Sequence, residues 1–214
     1  MTSIIMTMTK PNKIQRSPLA LAVLALLAEE PMHPYRMQQL IIERRKDEVI
    51  NVRQRAGIYQ TIERLLRDGL ISIKETLHEV GKPVRTVYEL TEEGRKYLFE
   101  WLREVISTPI QEFPQFPAAL SFLALLTMED VLQLFEKRAA ALTKAVNQID
   151  SELQMVKDMV PRLFVLESEL SRAVLSAELQ WVQSVSEDIR GGLLVWDEEW
   201  LREIAKQNSM EEHY

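Results

Sequence analysis

Apolar residues recur with helical spacing through most of the chain, and the clearest case lies within residues 51–69. Its apolar positions fall at i, i+4, i+7 and i+8, which makes one stripe along a helix: Ile58, Ile62, Leu65 and Leu66. The opposite side carries Arg53, Ala56, Gln60, Arg64 and Arg67. Gly69 then predicts the end of the helix, as a residue of positive φ just past the last turn.

Two β-prone runs follow this helix. They are Leu70–Leu77 and Val84–Leu90, and they flank turn-like residues at Val80–Pro83. The pattern predicts a basic helix, packed by one side and free on the other, that runs directly into a small hairpin. This arrangement is typical of a recognition helix and its wing.

Helix starts are predicted upstream of this unit at Ser17-Pro18 and at His33-Pro34, where an N-cap residue precedes a proline at the first helical position. The first helix is predicted to end near 29–31. Three cations are expected in the last turn of the second helix: Arg44, Arg45 and Lys46. Three short helices followed by a hairpin form the winged variant of the helix-turn-helix.

A fourth helix is predicted from Thr91, with acids in its first turn. Its expected packed face comprises Tyr97, Leu98, Trp101, Leu102 and Val105. The two prolines of Phe113–Pro117 then predict a domain boundary. A short apolar helix is expected over residues 118–126, followed by a long helix capped by Thr127.

Two further stripes have the alternating steps of four and three that mark a helix seam. One contains Leu142, Val146, Ile149, Leu153, Val156 and Val160, and ends at Pro161; the other contains Leu170, Val174, Ala177 and Trp181, and ends by Gly191-Gly192. We interpret both stripes as dimerisation surfaces. Val160, at the end of the first stripe, is not included in that surface. A last amphipathic helix is predicted near Asp197, with Trp200, Leu201 and Ile204.

The pattern therefore predicts a mainly α protein with an N-terminal winged helix-turn-helix and an all-α C-terminal dimerisation domain. The predicted boundaries are a flexible arm over residues 1–16, a winged-helix domain over 17–108 and a helical domain over 118–208.

Composition narrows the function. The absence of cysteine excludes disulfides, thiolate metal sites and thiol catalysis. The net charge of −6 argues against indiscriminate nucleic-acid binding. Residues 1–106, however, hold 17 Lys and Arg against 14 Asp and Glu, while residues 107–214 hold 9 against 18. This division places any polyanionic partner on the first half.

One segment is similar to a signal peptide. Lys10, Lys13 and Arg16 precede the apolar run Leu19–Ala28. The run is shorter than the roughly 20 residues that span a bilayer. We interpret it as a buried helix, since a helix-turn-helix needs a preceding helix to pack on, and we expect a cytoplasmic protein without a membrane partner.

Several short motifs resemble the PadR family of winged-helix transcriptional regulators. They are Gly57-Ile58-Tyr59, Leu65, Asp68-Gly69-Leu70-Ile71, Val87-Tyr88-Glu89-Leu90-Thr91-Glu92-Glu93-Gly94 and, in part, His33-Pro34-Tyr35. The resemblance covers residues 17–104 and implies DNA binding, usually with repression. It also implies phosphate contacts from Tyr35 and Tyr59. Pro34 stands where glycine is usual in the family, and Gly57 where Thr, Ser or Gln is commoner.

DNA recognition requires cations for phosphate and amide or guanidinium groups for base edges. Gln60 faces away from the packed stripe and is our candidate base contact. Gly57 is expected to let the backbone approach DNA closely. The complete predicted set is Tyr35, Arg53, Gln54, Arg55, Gly57, Tyr59, Gln60, Arg64, Lys82 and Arg85. An alternative role for Arg64 and Arg67 is pairing with Glu63 and Asp68.

So few cations predict weak binding by one copy, which pairing of two copies would strengthen. We therefore expect a homodimer on a pseudo-palindromic double-stranded operator. A small apolar or aromatic effector is a further expectation, bound between the two halves near Trp101 and Trp181. The alternative for these tryptophans is an ordinary role in the core or in an interface.

Two other functions stay open. One is a winged-helix adaptor that contacts proteins and not DNA; the other is a regulator of another winged-helix family, such as the MarR type. An enzyme is not expected, because the sequence has no phosphate loop, nucleophile elbow or zincin motif. We also expect no cofactor and no metal, since His33, His78 and His213 lack metal-ligand spacing.

Overall fold

The computed structural model describes residues 16–52, 55–77, 85–197 and 199–203, and the side chains of all of these except Arg55 and Ala56. The chain divides into two compact units, one up to Ile110 and one from Gln111. Residues 1–15 of the predicted arm and the predicted turn Val80–Pro83 lie outside the described residues.

Helices α1 (Pro18–Glu29) and α2 (Pro34–Glu43) begin where the sequence predicts. The Ser17 hydroxyl accepts the Ala20 N–H at 3.2 Å, and the Nδ1 atom of His33 accepts the Arg36 N–H at 3.1 Å. Helix α1 lies at the centre of the N-terminal unit, with Val23 and Leu24 fully buried. The apolar run is thus the buried helix that was predicted.

The prediction for the end of α2 was wrong. Arg44 is its C-cap, Arg45 adopts a left-handed backbone with φ 56°, and Lys46 begins a short 3-10 helix, Lys46–Glu48. The helix ends at Glu43, three residues before Lys46, because the chain must turn toward Val52, which is buried in the core.

Helix α3 (Arg55–Arg67) packs by the predicted stripe, with Ile58, Ile62 and Leu65 buried. Gly69 has φ 72°, which is the left-handed conformation predicted for a glycine just past the last turn of a helix. Strands β1 (Ile71–Leu77) and β2 (Arg85–Leu90) pair antiparallel, from Ile71 opposite Leu90 to Leu77 opposite Arg85. The predicted wing is therefore present.

A backbone bridge that sequence reasoning missed joins the wing to the α1–α2 connection. Met32 and Tyr88 exchange both backbone hydrogen bonds, each at 3.1 Å. This bridge places the N-terminus of α2 beside β2. The side chain of His33, the N-cap of α2, therefore lies close to the wing.

Helix α4 (Glu92–Ser107) starts at Thr91, whose hydroxyl accepts the Gly94 N–H at 3.0 Å. Leu98 and Trp101 are buried, but Val105 is 42% exposed, so the predicted packed face is one turn too long. The physical reason is that the core of this unit ends near Leu102.

The C-terminal unit contains α5 (Gln115–Leu120), α6 (Met128–Val156) and α7 (Leu166–Arg190). Short 3-10 helices, Leu123–Leu125 and Arg162–Phe164, lie between them. The single helix predicted over 118–126 was therefore wrong: α5 starts earlier, with Pro117 in its first turn, where a missing N–H costs nothing. Residues 199–203 are helical, and Ile204 lies outside the described residues.

Helices α6 and α7 pack against each other around a core of Val131, Phe135, Leu142, Val182 and Ile189. Ion pairs of the described residues also join them: Arg138 to Glu178 at 2.6 Å, Arg190 to Glu136 at 2.7 Å, and Arg172 to Asp150. Among the described residues, no helix has the length and apolar character that crossing a membrane requires.

Candidate nucleic-acid interface

The outward side of α3 presents Tyr59 and Gln60, both exposed, while the neighbouring Ile58 is buried. The helix thus separates a packed face from a free polar face, as the residue pattern predicts. Arg64 is half-buried, and Arg67 pairs with Asp68 at 3.1 Å.

Gly57 lies toward the protein interior. A Cβ atom built there would approach the Leu19 side chain of α1 at 3.6 Å, an ordinary contact distance. The space left by this glycine is therefore on the α1 side. That location does not support the interpretation that Gly57 makes room for a DNA backbone.

A cleft of about 390 Å³ opens where α2, α3 and β2 converge. It brings together three of the predicted DNA-contacting residues from three separate elements: Tyr35, Tyr59 and Arg85. Both tyrosines are about half exposed, at 52% and 53%. The remaining lining residues are His33, Pro34, Thr86 and Tyr88, which sequence reasoning did not assign to the site.

The cleft carries positive charge and hydroxyl groups. Burial, together with the nearby Arg85 and Arg36 guanidinium groups, lowers the pKa of His33. Burial also raises the pKa of Tyr88, so its hydroxyl stays protonated. The His33 and Tyr35 rings stack at 6.2 Å between centroids. A guanidinium and several O–H donors in one recess are chemically suited to an anionic oxygen such as that of a phosphodiester.

The sequence contained one signal for His33, namely its position as N-cap before Pro34. Thr86 and Tyr88 gave none, because only the hairpin register and the bridge to Met32 bring β2 to this place. Arg53, Gln54 and Lys82 lie outside the described residues. Of Arg55, only the backbone position at the start of α3 is described.

The residues predicted for dimerisation fall into two groups. Leu142 is buried in the core of its own unit, and the other α6 members are half-buried: Val146, Ile149, Leu153 and Val156. The α7 members are exposed instead: Leu170, Val174, Ala177 and Trp181. We call these four residues the α7 stripe. The residues of α7 that pack on α6 include Leu175, Leu179 and Val182. Of the stripe, Trp181 also contacts α6, through Phe135.

The tryptophans also differ in their surroundings. Trp101 is 5% exposed, and Tyr97 and the Arg16 guanidinium contact its ring. Trp181 is 43% exposed, with edge contacts to Phe116 and Phe135. Trp196 donates its Nε1–H to the Leu126 carbonyl at 2.9 Å. With Trp200 it lines a second, mostly apolar cleft of about 230 Å³ in the C-terminal unit.

Within the part of the chain that the structure describes, no three His, Asp or Glu side chains form a group able to hold a metal ion.

The family model described as "Transcriptional regulator PadR-like family" matches residues 23–100. These residues include most of α1 and all of α2, α3 and the described wing strands. No curated protein matches the chain.

Solved structures share the fold at low sequence identity. The chain is similar to Bacillus subtilis PadR in complex with operator DNA, with 19% identity and a TM-score of 0.64 over 81% of this chain and 99% of that one. It is also similar to Bacillus subtilis PadR in complex with p-coumaric acid, with 18% identity and a TM-score of 0.64 over 80% and 98%. A PadR-like regulator from Bacillus cereus matches at 15% identity, with a TM-score of 0.55 over 81% and 99%.

Proposed function

We propose, from the premise that this chain belongs to the PadR-like family of transcriptional regulators through residues 23–100, that it binds a specific DNA sequence. In this proposal it acts in the cytoplasm as a homodimer and represses transcription from a pseudo-palindromic operator. The observation that carries the proposal is the convergence of Tyr35, Tyr59 and Arg85 in one cleft, beside the exposed side of α3.

The two parts of this surface have separate roles. The cleft residues would hold a phosphate and so fix the position of the protein, which carries no sequence information by itself. Gln60 would enter the major groove and bond a base edge, for which adenine offers a matching donor and acceptor. Arg55, at the start of α3, lies in the half of a recognition helix that usually contacts bases.

The apolar α7 stripe supports the proposed dimerisation. It exposes Leu170, Val174 and Trp181 along one side of a 25-residue helix. Exposed apolar patches of this kind mark protein interaction sites. A second copy would raise the effective affinity for DNA by an avidity factor of about 10²–10⁴, with half-site centres about 34–36 Å apart or a multiple of that distance.

A small aromatic effector completes the proposal. Bacillus subtilis PadR has been crystallised with p-coumaric acid, and this chain has a half-exposed Trp181 able to stack on a planar ligand. Because Trp181 also belongs to the α7 stripe, such a ligand would compete with the second copy for this ring. Trp101 is a core residue in the structure and offers less surface for such a ligand. Quenching of tryptophan fluorescence by p-coumaric acid, lost in Trp181→Phe, would support an effector site at Trp181. Quenching that persists in the variant would place the ligand elsewhere.

The experiment that tests DNA binding starts from a random pool of duplex DNA, selected with the full-length protein. We expect one enriched pseudo-palindromic sequence, and we expect Gln60→Ala to weaken its binding by about 1–3 kcal/mol. Gln133→Ala is the matched control, since Gln133 is an exposed glutamine on α6. Selection that enriches no sequence would contradict the proposal and favour the protein–protein adaptor.

A further inference from the structure

The His33 imidazole has two roles: it caps α2 and it lines the cleft. Its Nδ1 atom accepts the Arg36 N–H at 3.1 Å and so caps α2, while its half-buried ring lines the cleft with Tyr59 and Arg85. An Nδ1 that accepts a hydrogen bond belongs to a neutral ring, whose proton is then on Nε2. Protonation would convert Nδ1 into a donor and remove the cap.

The surroundings of the ring oppose protonation in the free protein. Among the described residues, the cations near His33 are Arg36 on α2 and Arg85 on β2. The other titratable groups that share the cleft are the hydroxyls of Tyr35, Tyr59 and Tyr88. No acid lines the described cleft to compensate for a charged imidazole. The ring is therefore neutral near pH 7.

A phosphodiester in the cleft would reverse this balance. Its negative charge would pair with Arg85 and so offset the repulsion between that guanidinium and the ring. It would also accept a charge-assisted hydrogen bond from an imidazolium, which is about twice as strong as a neutral one. The same recess that disfavours the imidazolium when it is empty would favour it when it is filled by an anion.

We propose that His33 takes up a proton when a DNA phosphate occupies this cleft, so that each half-site is bound more tightly as the pH falls from about 7.5 to about 6, the range in which histidine titrates. The inference rests on the proposed function and adds to it a phosphate-contacting residue with a proton-linked affinity.

Two pH effects of opposite sign distinguish this role from that of a helix cap alone. In the free protein, the pKa of His33 lies below that of the unfolded chain. The unfolded chain therefore binds the proton first, and stability is lost as the pH falls through about 6.5. In the complex, the bound state takes up the proton first, so affinity rises over the same interval. A cap without a phosphate contact produces only the loss of stability.

The experiment measures the Kd of full-length protein for the selected duplex by fluorescence anisotropy between pH 7.5 and 6.0, at constant ionic strength. One proton per half-site limits the change to about tenfold per pH unit for each half-site, and we expect the Kd for the duplex to fall about three- to tenfold over the range. His33→Asn keeps an N-cap acceptor but cannot titrate, so its Kd should change little with pH. His78→Asn and His213→Asn, which alter the two other histidines, should retain the pH dependence.

A wild-type Kd that does not change with pH, or an equal change in His33→Asn, would overturn the inference. If His33→Asn fails to fold, NMR titration of the wild type decides, with the His33 Cε1–H resonance followed against pH. The pKa of His33 should rise on addition of the duplex, and an unchanged pKa would refute the proposal. Absence of any selected duplex at pH 7.5 would remove the proposed function itself. A selected duplex with pH-independent binding would remove only the role of His33.

Discussion

Gly94, in the first turn of α4, lies so close to Leu70 that a Cβ atom at this position would be 1.9 Å from the Leu70 carbonyl oxygen. That carbonyl is itself fixed, because it accepts the Thr91 N–H at 3.1 Å and the Thr91 hydroxyl at 3.0 Å. The wing and α4 can therefore meet at this distance only if residue 94 is glycine.

The first prediction concerns this contact. Gly94→Ala should destabilise the N-terminal unit by about 3 kcal/mol, at the upper end of overpacking costs, because the obstacle is backbone and not a movable side chain. Chemical denaturation followed by circular dichroism measures the effect. Gly57→Ala is the matched control: its methyl group meets only the Leu19 side chain at 3.6 Å, and alanine gains about 1 kcal/mol of helix propensity. Equal stability of the two variants would contradict the close approach.

The second prediction concerns dimerisation through the α7 stripe. Val174→Glu places a charge in an exposed apolar row, and burying that charge in an interface is costly. We expect this variant to sediment as a monomer at micromolar concentration while its helix content is unchanged. Gln183→Glu adds the same charge to an exposed position on another side of α7 and should leave the dimer intact. A Val174→Glu dimer would mean that the stripe is not the interface.

The third prediction concerns pH. Arg44 holds Glu29 through two hydrogen bonds, of 2.6 and 2.7 Å, and this pairing lowers the pKa of the Glu29 carboxyl. Because the pKa of Glu29 is lower in the folded chain than in the unfolded chain, the pair stabilises the fold at pH values above the unfolded pKa of 4.5. This stabilisation is lost as the pH falls through the folded pKa.

Because both side chains are about half exposed, Glu29→Gln should cost no more than about 1 kcal/mol at pH 7. The difference between wild type and variant should shrink as the pH falls below 4.5, as unfolding at several pH values will reveal. Glu43→Gln is a useful comparison, since Glu43 forms a longer surface pair with Arg36 at 3.1 Å. A constant difference across this range would argue against the Glu29–Arg44 pair.

The fourth prediction separates the two tryptophans that the sequence assigned to a ligand. Trp101→Ala should cost about 3–5 kcal/mol, because the ring is buried in the N-terminal core. Trp181→Ala should cost less, because its ring is 43% exposed. Thermal unfolding of both variants gives the comparison. A larger loss for Trp181 would indicate that its ring is buried in the assembled protein.

Much of the fold follows from local chemistry. Ser17, His33 and Thr91 each cap the helix that the sequence predicted for them, and Gly69 takes the positive φ that ends α3. These features depend on residues only a few positions apart in the chain, so the local sequence predicts them directly. The errors fall where distant packing decides: Val105 lies beyond the end of the core, and the chain after Arg44 turns to bury Val52.

The sequence by itself determined the order of the elements, the packed and free sides of α3, and the exposure of Gln60, because helical periodicity alone fixes which residues share a face. Only the tertiary structure decided that His33, Tyr59 and Arg85 line one cleft. Their proximity depends on the bridge between Met32 and Tyr88 and on the register of the hairpin. The bridge joins residues more than 50 positions apart in the chain, and no local pattern of apolar and polar residues encodes such a contact.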